Sequence, residues 1–244
     1  GGATHEGFRE QEIAGAEFGC RVASVERGVS GEVIGRRVAG NPVLPCFHCS
    51  WCEEGNHHLC PHVRILGEPP VHGALQQRFS WPAELCVPIP DEVTDREAVL
   101  TVPVANAIHI IDLAHLKPME TVAVIGCGHQ GLLLIRALRC TGAGEIIAVD
   151  LEKYRRQAAL AYGANYAVDP FGAEEIANRW RRRGVDIAID VSNGPEASRN
   201  AVALARAGGR VLLAGSPADN RVLFGAQEAR RKELTLQFVR RPFN

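Results

Sequence analysis

Residues 121–131 have the sequence TVAVIGCGHQG, and this segment is the strongest indication of the fold class. Its first five residues form an apolar, strand-like run, and the next six match Gly-x-Gly-x-x-Gly where a helix should begin. In this context Gly126 permits a tight turn, Gly128 lets a pyrophosphate approach the backbone, and Gly131 lets helix and strand pack closely. The order strand, glycine turn, helix therefore predicts a dinucleotide-binding domain. The alternative is a glycine-rich turn that binds nothing.

Two features outside the glycines support a nucleotide site. His129 and Gln130 lie at the helix start, where free N–H groups and the positive end of the helix dipole favour phosphates. Asp150 ends the next strand, nineteen residues after Gly131, where a carboxylate can accept hydrogen bonds from both ribose hydroxyls and would repel a 2′-phosphate. This pattern predicts NAD. NADP stays open because basic residues follow the acid: Lys153, Arg155 and Arg156.

From residue 121 onward, apolar strand-like runs alternate with helical stretches. The predicted strands are 121–125, 145–149, 185–191, 209–214 and 232–238, and the predicted helices are 131–140, 152–162, 173–182 and 195–206. Strands that are apolar almost throughout are typical of a parallel sheet with helices on both faces. We therefore expect a doubly wound α/β fold in this half of the chain.

From about Gly15 to Pro90 the chain has the texture of an all-β region. It is rich in glycine, proline and short β-branched runs, of which residues 21–25 and 37–39 are the clearest. Turn residues separate these runs, as is usual between short strands. The first half of the chain is therefore predicted to be a β lobe.

Two helices are expected between the halves. Thr94 and Glu97 have the spacing of a capping box, and Pro103 fits the first turn of a second helix that runs to about Ala114. A hinge at these helices divides the chain into two predicted domains, residues 1–115 and residues 116–244.

Four of the eight cysteines crowd into fifteen residues of the β lobe. They are Cys46, Cys49, Cys52 and Cys60. This spacing lets four thiolates converge on one ion with tetrahedral geometry, which favours zinc, and four sulfurs leave no open position for a substrate. The site is therefore predicted to be structural, within a zinc loop at residues 46–60. An iron–sulfur centre or disulfides are the alternatives.

Composition and charge restrict the possible partners. With 46% hydrophobic and 23% charged residues, the chain is ordinary for a soluble globular protein. A formal net charge of −1 gives no general field that would attract nucleic acid or a membrane surface. The sequence contains neither an apolar run of about 20 residues nor a secretory signal pattern, so a cytoplasmic protein that binds a small molecule is expected.

Together these parts resemble the zinc-containing medium-chain alcohol and polyol dehydrogenases, and most of all their sorbitol dehydrogenase-like branch. Besides the cysteine loop and the glycine turn, the resemblance rests on the segments GAEF (15–18), GRRV (35–38), VPVA (102–105) and GGRVLLAG (208–215). It implies a partial GroES-like β-barrel followed by a Rossmann domain. It also implies an NAD-dependent oxidoreductase that transfers hydride between NAD and a secondary alcohol or polyol, in a homodimer or homotetramer.

The same resemblance implies a second, catalytic zinc whose ligand set is damaged in this chain. His5 matches the family's proton-relay histidine, and Glu17 matches the acid of its Gly-His-Glu segment, so both are candidate catalytic residues. The histidine of that segment is replaced by Ala16, and the acid before a proline is replaced by Val102. Cys20 is the one nearby candidate for a substitute ligand.

Three functional hypotheses follow from these observations. The first is an active NAD-dependent dehydrogenase, and the second is a catalytically silent homologue that keeps its nucleotide and zinc sites. The third is an incomplete piece of a longer dehydrogenase, because the chain begins with Gly1 rather than Met and the β lobe of the family is completed by a segment that follows the Rossmann domain.

Overall fold

The chain divides between Ala105 and Asn106 into two compact units. The computed structural model describes residues 13–178, 184–217 and 219–240. We call the part up to Ala105 the β unit and the part from Asn106 onward the α/β unit.

Short strands form two antiparallel sheets in the β unit. Their bounds are β1 Gly19–Arg21, β2 Arg37–Gly40, β3 Val43–Leu44, β4 Arg64–Ile65 and β5 Cys86–Pro88. One sheet has the order β1-β2-β5 and the other pairs β3 with β4. A Cβ atom at Gly40 would lie 1.8 Å from the buried ring of Phe18, so a glycine is required where β2 crosses this ring.

The β-rich prediction for this half is confirmed, but one of its two named runs is wrong. Residues 37–39 lie in β2, whereas only Arg21 of the run 21–25 belongs to a strand. The pairing of Gly19 with Ala39 and of Arg21 with Arg37 ends where β2 begins. Beyond Arg21, Val22 still exchanges backbone hydrogen bonds with Arg36 and Gly35, but residues 22–25 do not continue the strand, because β-branched side chains alone do not hold an extended segment in a sheet.

Three helices of the first half are α1 Ser50–Glu53, α2 Asp95–Ala98 and α3 Thr101–Leu113. The predicted capping box is present at α2: the Thr94 hydroxyl accepts a hydrogen bond from the Glu97 N–H at 3.3 Å, and the Glu97 carboxylate accepts one from the Thr94 N–H at 2.8 Å. The second predicted helix corresponds to α3, with Pro103 in its first turn.

A six-stranded parallel sheet forms the α/β unit. Its strands are β6 Val122–Ile125, β7 Ile146–Val149, β8 Tyr166–Val168, β9 Val185–Asp190, β10 Ala205–Leu213 and β11 Thr235–Phe238. The helices between them are α4 His129–Cys140, α5 Lys153–Tyr162, α6 Pro170–Ala177, α7 Ala197–Leu204 and α8 Ala226–Arg231. The strand order β11-β10-β9-β6-β7-β8 reverses between β6 and β9, as in a doubly wound Rossmann sheet.

Apolar side chains from alternate positions of these strands form two separate buried clusters. Val122 and Val124 pack with α4 residues such as Leu134 in one cluster. Ala123 and Ile125 pack with α7 residues such as Ala201 in the other. Helices cover both faces of the sheet, which is why its strands are apolar almost throughout.

The strand β8 was not predicted from the sequence. It has three residues, all half-buried, and it lies at the sheet edge, paired only with β7. Such a short segment becomes a strand through its pairing, which a sequence pattern does not reveal. The helix predicted for 195–206 also ends early, at Leu204, because Ala205 pairs with Val185 as the first residue of β10.

Across the three described ranges, every helix is either too short or too polar to cross a lipid bilayer.

Candidate functional site

The four crowded cysteines converge in the loop between β3 and β4. Helix α1 and a 3-10 turn at His57–Leu59 fold this loop back on itself. The four Sγ atoms lie within 4.8 Å of one another, with Cys46 and Cys52 at 3.9 Å and Cys49 and Cys52 at 3.5 Å. Ligands about 2.3 Å from a zinc ion at tetrahedral angles are about 3.8 Å apart, so the donor set fits zinc.

All eight cysteines are free thiols in the structure, so the disulfide alternative is not realised. Cys52 and Cys60 are buried, and the Cys60 sulfur accepts a hydrogen bond from the Cys46 N–H at 3.4 Å. A hydrogen bond from the backbone of His48 lowers the pKa of the Cys46 thiol to about 6, whereas burial raises the pKa of Cys49 to about 12. Four sulfurs this close together could hold one cation as thiolates.

The histidines near the loop have other contacts. His48 Nδ1 lies 2.6 Å from the Cys46 carbonyl oxygen, and the His57 ring packs edge-on against Phe47 at 5.8 Å between ring centroids. Within the described residues, the four cysteines are the one group of three or more histidine, cysteine or acidic side chains whose donor atoms lie this close together.

The glycine turn after β6 has the geometry that its spacing predicts. Gly126 has a φ of +97°, which strains any side chain, and a Cβ atom there would lie 2.7 Å from the Cβ of Ser192. A Cβ atom at Gly131 would lie 1.9 Å from the Gly126 carbonyl oxygen, so helix α4 packs directly on the turn. At Gly128 a Cβ atom would meet nothing within 4 Å.

The open space at Gly128 lies beside the start of α4. Gly128 is the N-cap of this helix, and its carbonyl oxygen accepts the first helical hydrogen bond, from the Leu132 N–H at 2.9 Å. The N–H groups of the first three helical residues have no carbonyl partner inside the helix and can bind an anion. His129 is exposed, and Gln130 is half-buried.

Asp150 connects the turn to the next strand. It is 9% exposed; its carboxylate accepts hydrogen bonds from the Cys127 N–H at 2.7 Å and from the Glu152 N–H at 2.8 Å. Arg155 lies 3.8 Å from this carboxylate, while Arg156 donates to the Asp150 carbonyl at 2.8 Å. Each carboxylate oxygen keeps a second lone pair for a ligand.

Cys127, inside the glycine turn, is a packing residue. It is fully buried, and burial together with the neighbouring Asp150 charge raises the pKa of its thiol to about 12. A thiol in this state is neither a nucleophile nor a metal ligand at neutral pH.

Of the two residues assigned to catalysis by resemblance, the structure describes Glu17, which is exposed and lies two residues after Gly15; among the described residues it joins no group of three or more metal-binding side chains. His5 lies outside the described residues. Val102, at the position of the family's acid, is 7% exposed and packs against Val43 and Val63.

Sequence reasoning missed a buried acid at the end of β9. Asp190 is 6% exposed and accepts a hydrogen bond from the Ser192 N–H at 2.9 Å, next to the glycine turn. Burial raises the pKa of this carboxyl to about 6, although the Ser192 hydrogen bonds oppose the shift. The apolar run 185–191 contains the acid, and only the fold shows that its side chain is buried.

Replacing Asp190 with asparagine is expected to stabilise the protein at alkaline pH. The pKa in the folded protein, about 6, lies above the unfolded value of about 3.9. The Asp190 charge therefore does not lower the free energy of unfolding in strong acid, and it lowers it fully above about pH 6. Asp190→Asn should raise the free energy of unfolding by up to about 3 kcal/mol at pH 8 and by about 1 kcal/mol at pH 4.5. Urea unfolding at the two pH values measures this difference.

Asp186→Asn, at the other end of β9, is the control with the opposite sign. Burial tends to raise the pKa of Asp186, but hydrogen bonds from Thr121 and Arg206 outweigh it and lower the pKa. This control should destabilise the protein at pH 8. Equal effects of both substitutions would contradict the assignment of Asp190 as a costly buried charge.

Two family matches cover most of the chain. Residues 3–91 match the alcohol dehydrogenase GroES-like domain, and residues 131–242 match the zinc-binding dehydrogenase family. A sorbitol dehydrogenase of Bacillus subtilis is 36% identical over 213 residues, which are 86% of this chain and 60% of that protein. The Probable D-xylulose reductase A of Aspergillus clavatus is 32% identical over 244 residues, which are 97% of this chain and 68% of that protein.

Solved structures with the same fold include two nucleotide complexes. A short chain alcohol dehydrogenase of Escherichia coli CFT073 complexed with NADH is 28% identical, with a TM-score of 0.84 over 96% of this chain and 69% of that chain. A Sinorhizobium meliloti 1021 protein bound to NADP is 27% identical, with a TM-score of 0.85 over 95% of this chain and 70% of that chain. The chain thus spans roughly two thirds of the length of the proteins that it matches.

Proposed function

This chain belongs to the zinc-containing alcohol and polyol dehydrogenases, and on that premise we propose that it forms the nucleotide site and the zinc-ordered lobe of an NAD-dependent oxidoreductase. The proposed reaction is hydride transfer between NAD and a secondary alcohol or polyol. The substrate class is suggested by the relatives named sorbitol dehydrogenase and D-xylulose reductase. As functional domains we propose residues 1–115 for the catalytic lobe and 116–244 for nucleotide binding.

The observation that carries this proposal is the contrast among the three glycines of the turn. Side chains at Gly126 and Gly131 would collide with the protein itself, whereas a side chain at Gly128 would enter open space beside the helix start. A turn that served only packing would need no glycine at the open position. Free space next to helix N–H groups is what a pyrophosphate requires.

When bound, NAD supplies the atom that accepts or donates hydride. The residues of this chain bind and orient it: the α4 N-terminus with His129 and Gln130 would receive the phosphates, and Asp150 would receive the adenosine ribose. NAD is preferred to NADP because the Asp150 carboxylate would repel a 2′-phosphate.

The structural zinc is proposed for Cys46, Cys49, Cys52 and Cys60. The distances between their sulfur atoms fit a tetrahedral zinc site. Because four protein ligands fill the coordination sphere, this zinc would not bind the substrate. The ion would order a loop of more than a dozen residues that contains only one helical turn and one 3-10 turn. His5 and Glu17 remain the proposed catalytic residues by resemblance, as proton relay and retained acid.

Assembly and location complete the proposal. The strand β11 forms one edge of the six-stranded sheet, and its Phe238 is 68% exposed, which suits pairing with a second copy in a homodimer or homotetramer. Eight cysteines outside disulfides favour a reducing compartment, hence the cytoplasm. Nucleic acid and membrane partners are not proposed, because the net charge is −1.

Replacing Asp150 with alanine tests the nucleotide assignment. The substitution removes the proposed ribose acceptors and the repulsion of a 2′-phosphate, so NADH affinity should fall about tenfold, while NADPH affinity should fall less or rise. Titration of protein fluorescence with both nucleotides measures the ratio of the two affinities. General damage to the fold would weaken both nucleotides equally.

Asp112→Asn is the matched control, since it removes one exposed acid from α3 in the same unit. It should leave both affinities unchanged. An unaltered NADH-to-NADPH ratio in Asp150→Ala would remove the ribose assignment.

A second candidate function is a catalytically silent homologue that keeps the nucleotide and the structural zinc for assembly or sensing. The burial of Val102 against Val43 and Val63 favours it, because an apolar contact stands where the family has an acid. Oxidation of sorbitol or xylitol with NAD by the full-length protein separates the two candidates. Turnover at rates of about 1 per second or more, which is ordinary for enzymes, would exclude the silent homologue.

A further inference from the structure

The catalytic zinc that the family implies would need donor atoms at positions where this chain has none. Ala16 stands at the histidine position and Val102 at the position of the acid before proline, while Glu17 is retained. A catalytic zinc takes about three protein ligands and keeps one open position. We infer that the β unit holds no second zinc, and that Val102 has become an apolar packing residue. This inference rests on family membership and not on nucleotide binding.

Val102 occupies an apolar environment. It is 7% exposed in the first turn of α3, and its buried neighbour Val43 is 3% exposed on β3. Val63, just before β4, is half-buried against the same pair. Three branched aliphatic side chains offer no lone pair to an ion and no hydrogen bond to a water molecule bound to one. The position therefore contributes packing rather than coordination.

The backbone before Glu17 packs closely against residues 67–75. The Gly15 carbonyl accepts a hydrogen bond from the Ala74 N–H at 2.9 Å. A Cβ atom at Gly67 would lie 2.8 Å from the Gly15 carbonyl oxygen, and one at Gly73 would lie 2.3 Å from atoms of Ala14. This close packing places the methyl group of Ala16 at the position where the family has the imidazole of a histidine ligand.

Cys20 does not replace the missing ligands. It lies in β1 opposite Val38, and burial raises the pKa of its thiol, which disfavours the thiolate that a metal binds. In the described part of the chain, no group of three donors forms around Glu17 or Cys20. Because Ala16 and Val102 lie inside this chain, residues added at either end would not restore the two lost ligands.

The chemical consequence concerns the alcohol. A metal at this position would stabilise the alkoxide that forms before hydride leaves, and the β unit lacks that stabilisation. Any oxidation by this protein then depends on its own proton acceptors.

Zinc counting on the full-length protein tests the inference. We expect inductively coupled plasma mass spectrometry to find one zinc per chain after equilibration with excess zinc and removal of weakly bound metal. Cobalt substitution should give thiolate charge-transfer bands that saturate at one equivalent, with no further visible absorption from a second tightly bound ion. Two tightly held ions per chain would overturn the inference.

A variant pair on α3 tests the role of Val102 without depending on metal counts. Val102→Asp should lower the melting temperature by several degrees, whether or not zinc is added, because it buries a carboxylate among aliphatic side chains. Val104→Asp is the matched control, since Val104 is 40% exposed two residues later on the same helix, and it should melt near the parent temperature. If Val102→Asp melts like its control, Val102 is not a buried packing residue and that part of the inference fails.

Discussion

Replacing Cys60 with serine is expected to release the zinc and to unfold the cysteine loop of the β unit while the α/β unit stays folded. Cys60 is fully buried, and its sulfur also accepts the Cys46 N–H. Structural zinc sites contribute about 10 kcal/mol or more of apparent folding free energy, because the site does not exist in the unfolded chain. The apolar cluster around Val43 and Val102 has three members, too few to hold the loop alone.

The α/β unit should survive because its stability comes from the two large clusters on the faces of its sheet. Limited proteolysis with mass mapping should cut Cys60→Ser within residues 42–66, and NADH binding should persist. Chelator treatment of the parent protein should produce the same cuts.

Cys140→Ser is the control for this experiment. Cys140 is an exposed thiol at the end of α4, far along the chain from the cluster. It should keep the zinc content and the proteolysis pattern of the parent. Retention of the metal in Cys60→Ser, or cuts confined to the α/β unit, would refute a structural zinc at the four cysteines.

The same chemical change, glycine to alanine, is expected to weaken NADH binding at both Gly128 and Gly131 but to destabilise the fold at Gly131 alone. At Gly131 the new methyl group would lie 1.9 Å from the Gly126 carbonyl oxygen, so the turn must move away from α4. Overpacking of this kind costs about 1–3 kcal/mol, and the displaced turn should also lose the nucleotide. Thermal unfolding and NADH titration should therefore both change in Gly131→Ala.

Gly128→Ala should keep the fold and lose the ligand. Its φ of −69° suits any residue, and nothing lies within 4 Å of the added methyl group. The loss of glycine as N-cap costs less than about 1 kcal/mol. NADH affinity, however, should fall at least about tenfold, because the methyl group occupies the space into which a pyrophosphate would come.

The two variants serve as controls for each other. Wild-type NADH affinity in Gly128→Ala would show that the turn does not bind the pyrophosphate. Wild-type stability in Gly131→Ala would show that the contact between turn and helix is not tight. Either result would contradict the assigned roles of Gly128 and Gly131 in the glycine turn.

The sequence predicted the order of elements well where burial is continuous. Runs such as 121–125 and 145–149 become β6 and β7 because parallel strands covered on both faces must be apolar throughout. The sequence did not predict the strand β8, and it wrongly indicated a strand at residues 22–25. Residues 166–168 became a strand through pairing with β7, whereas the run 22–25, with two β-branched residues, leaves the sheet after the backbone hydrogen bonds of Val22 to residues 35 and 36.

For the candidate site, the sequence alone determined which residue types were available. The cysteine spacing, the glycine pattern and the acid after β7 are local features, and each carries its chemistry in the side chains or in the backbone freedom that it provides. The loss of two zinc ligands could also be inferred from the sequence, because the side chains of Ala16 and Val102 have no atom that binds a metal.

The tertiary structure decided what those residues touch. Only the fold brings four sulfurs within 4.8 Å, buries Asp190 beside the glycine turn, and packs Val102 against Val43 and Val63. The physical reason is that burial and distance depend on chain segments dozens of residues apart, whereas propensity and spacing act within a few residues. Local chemistry thus determined the candidates, and long-range packing decided which of them form a site.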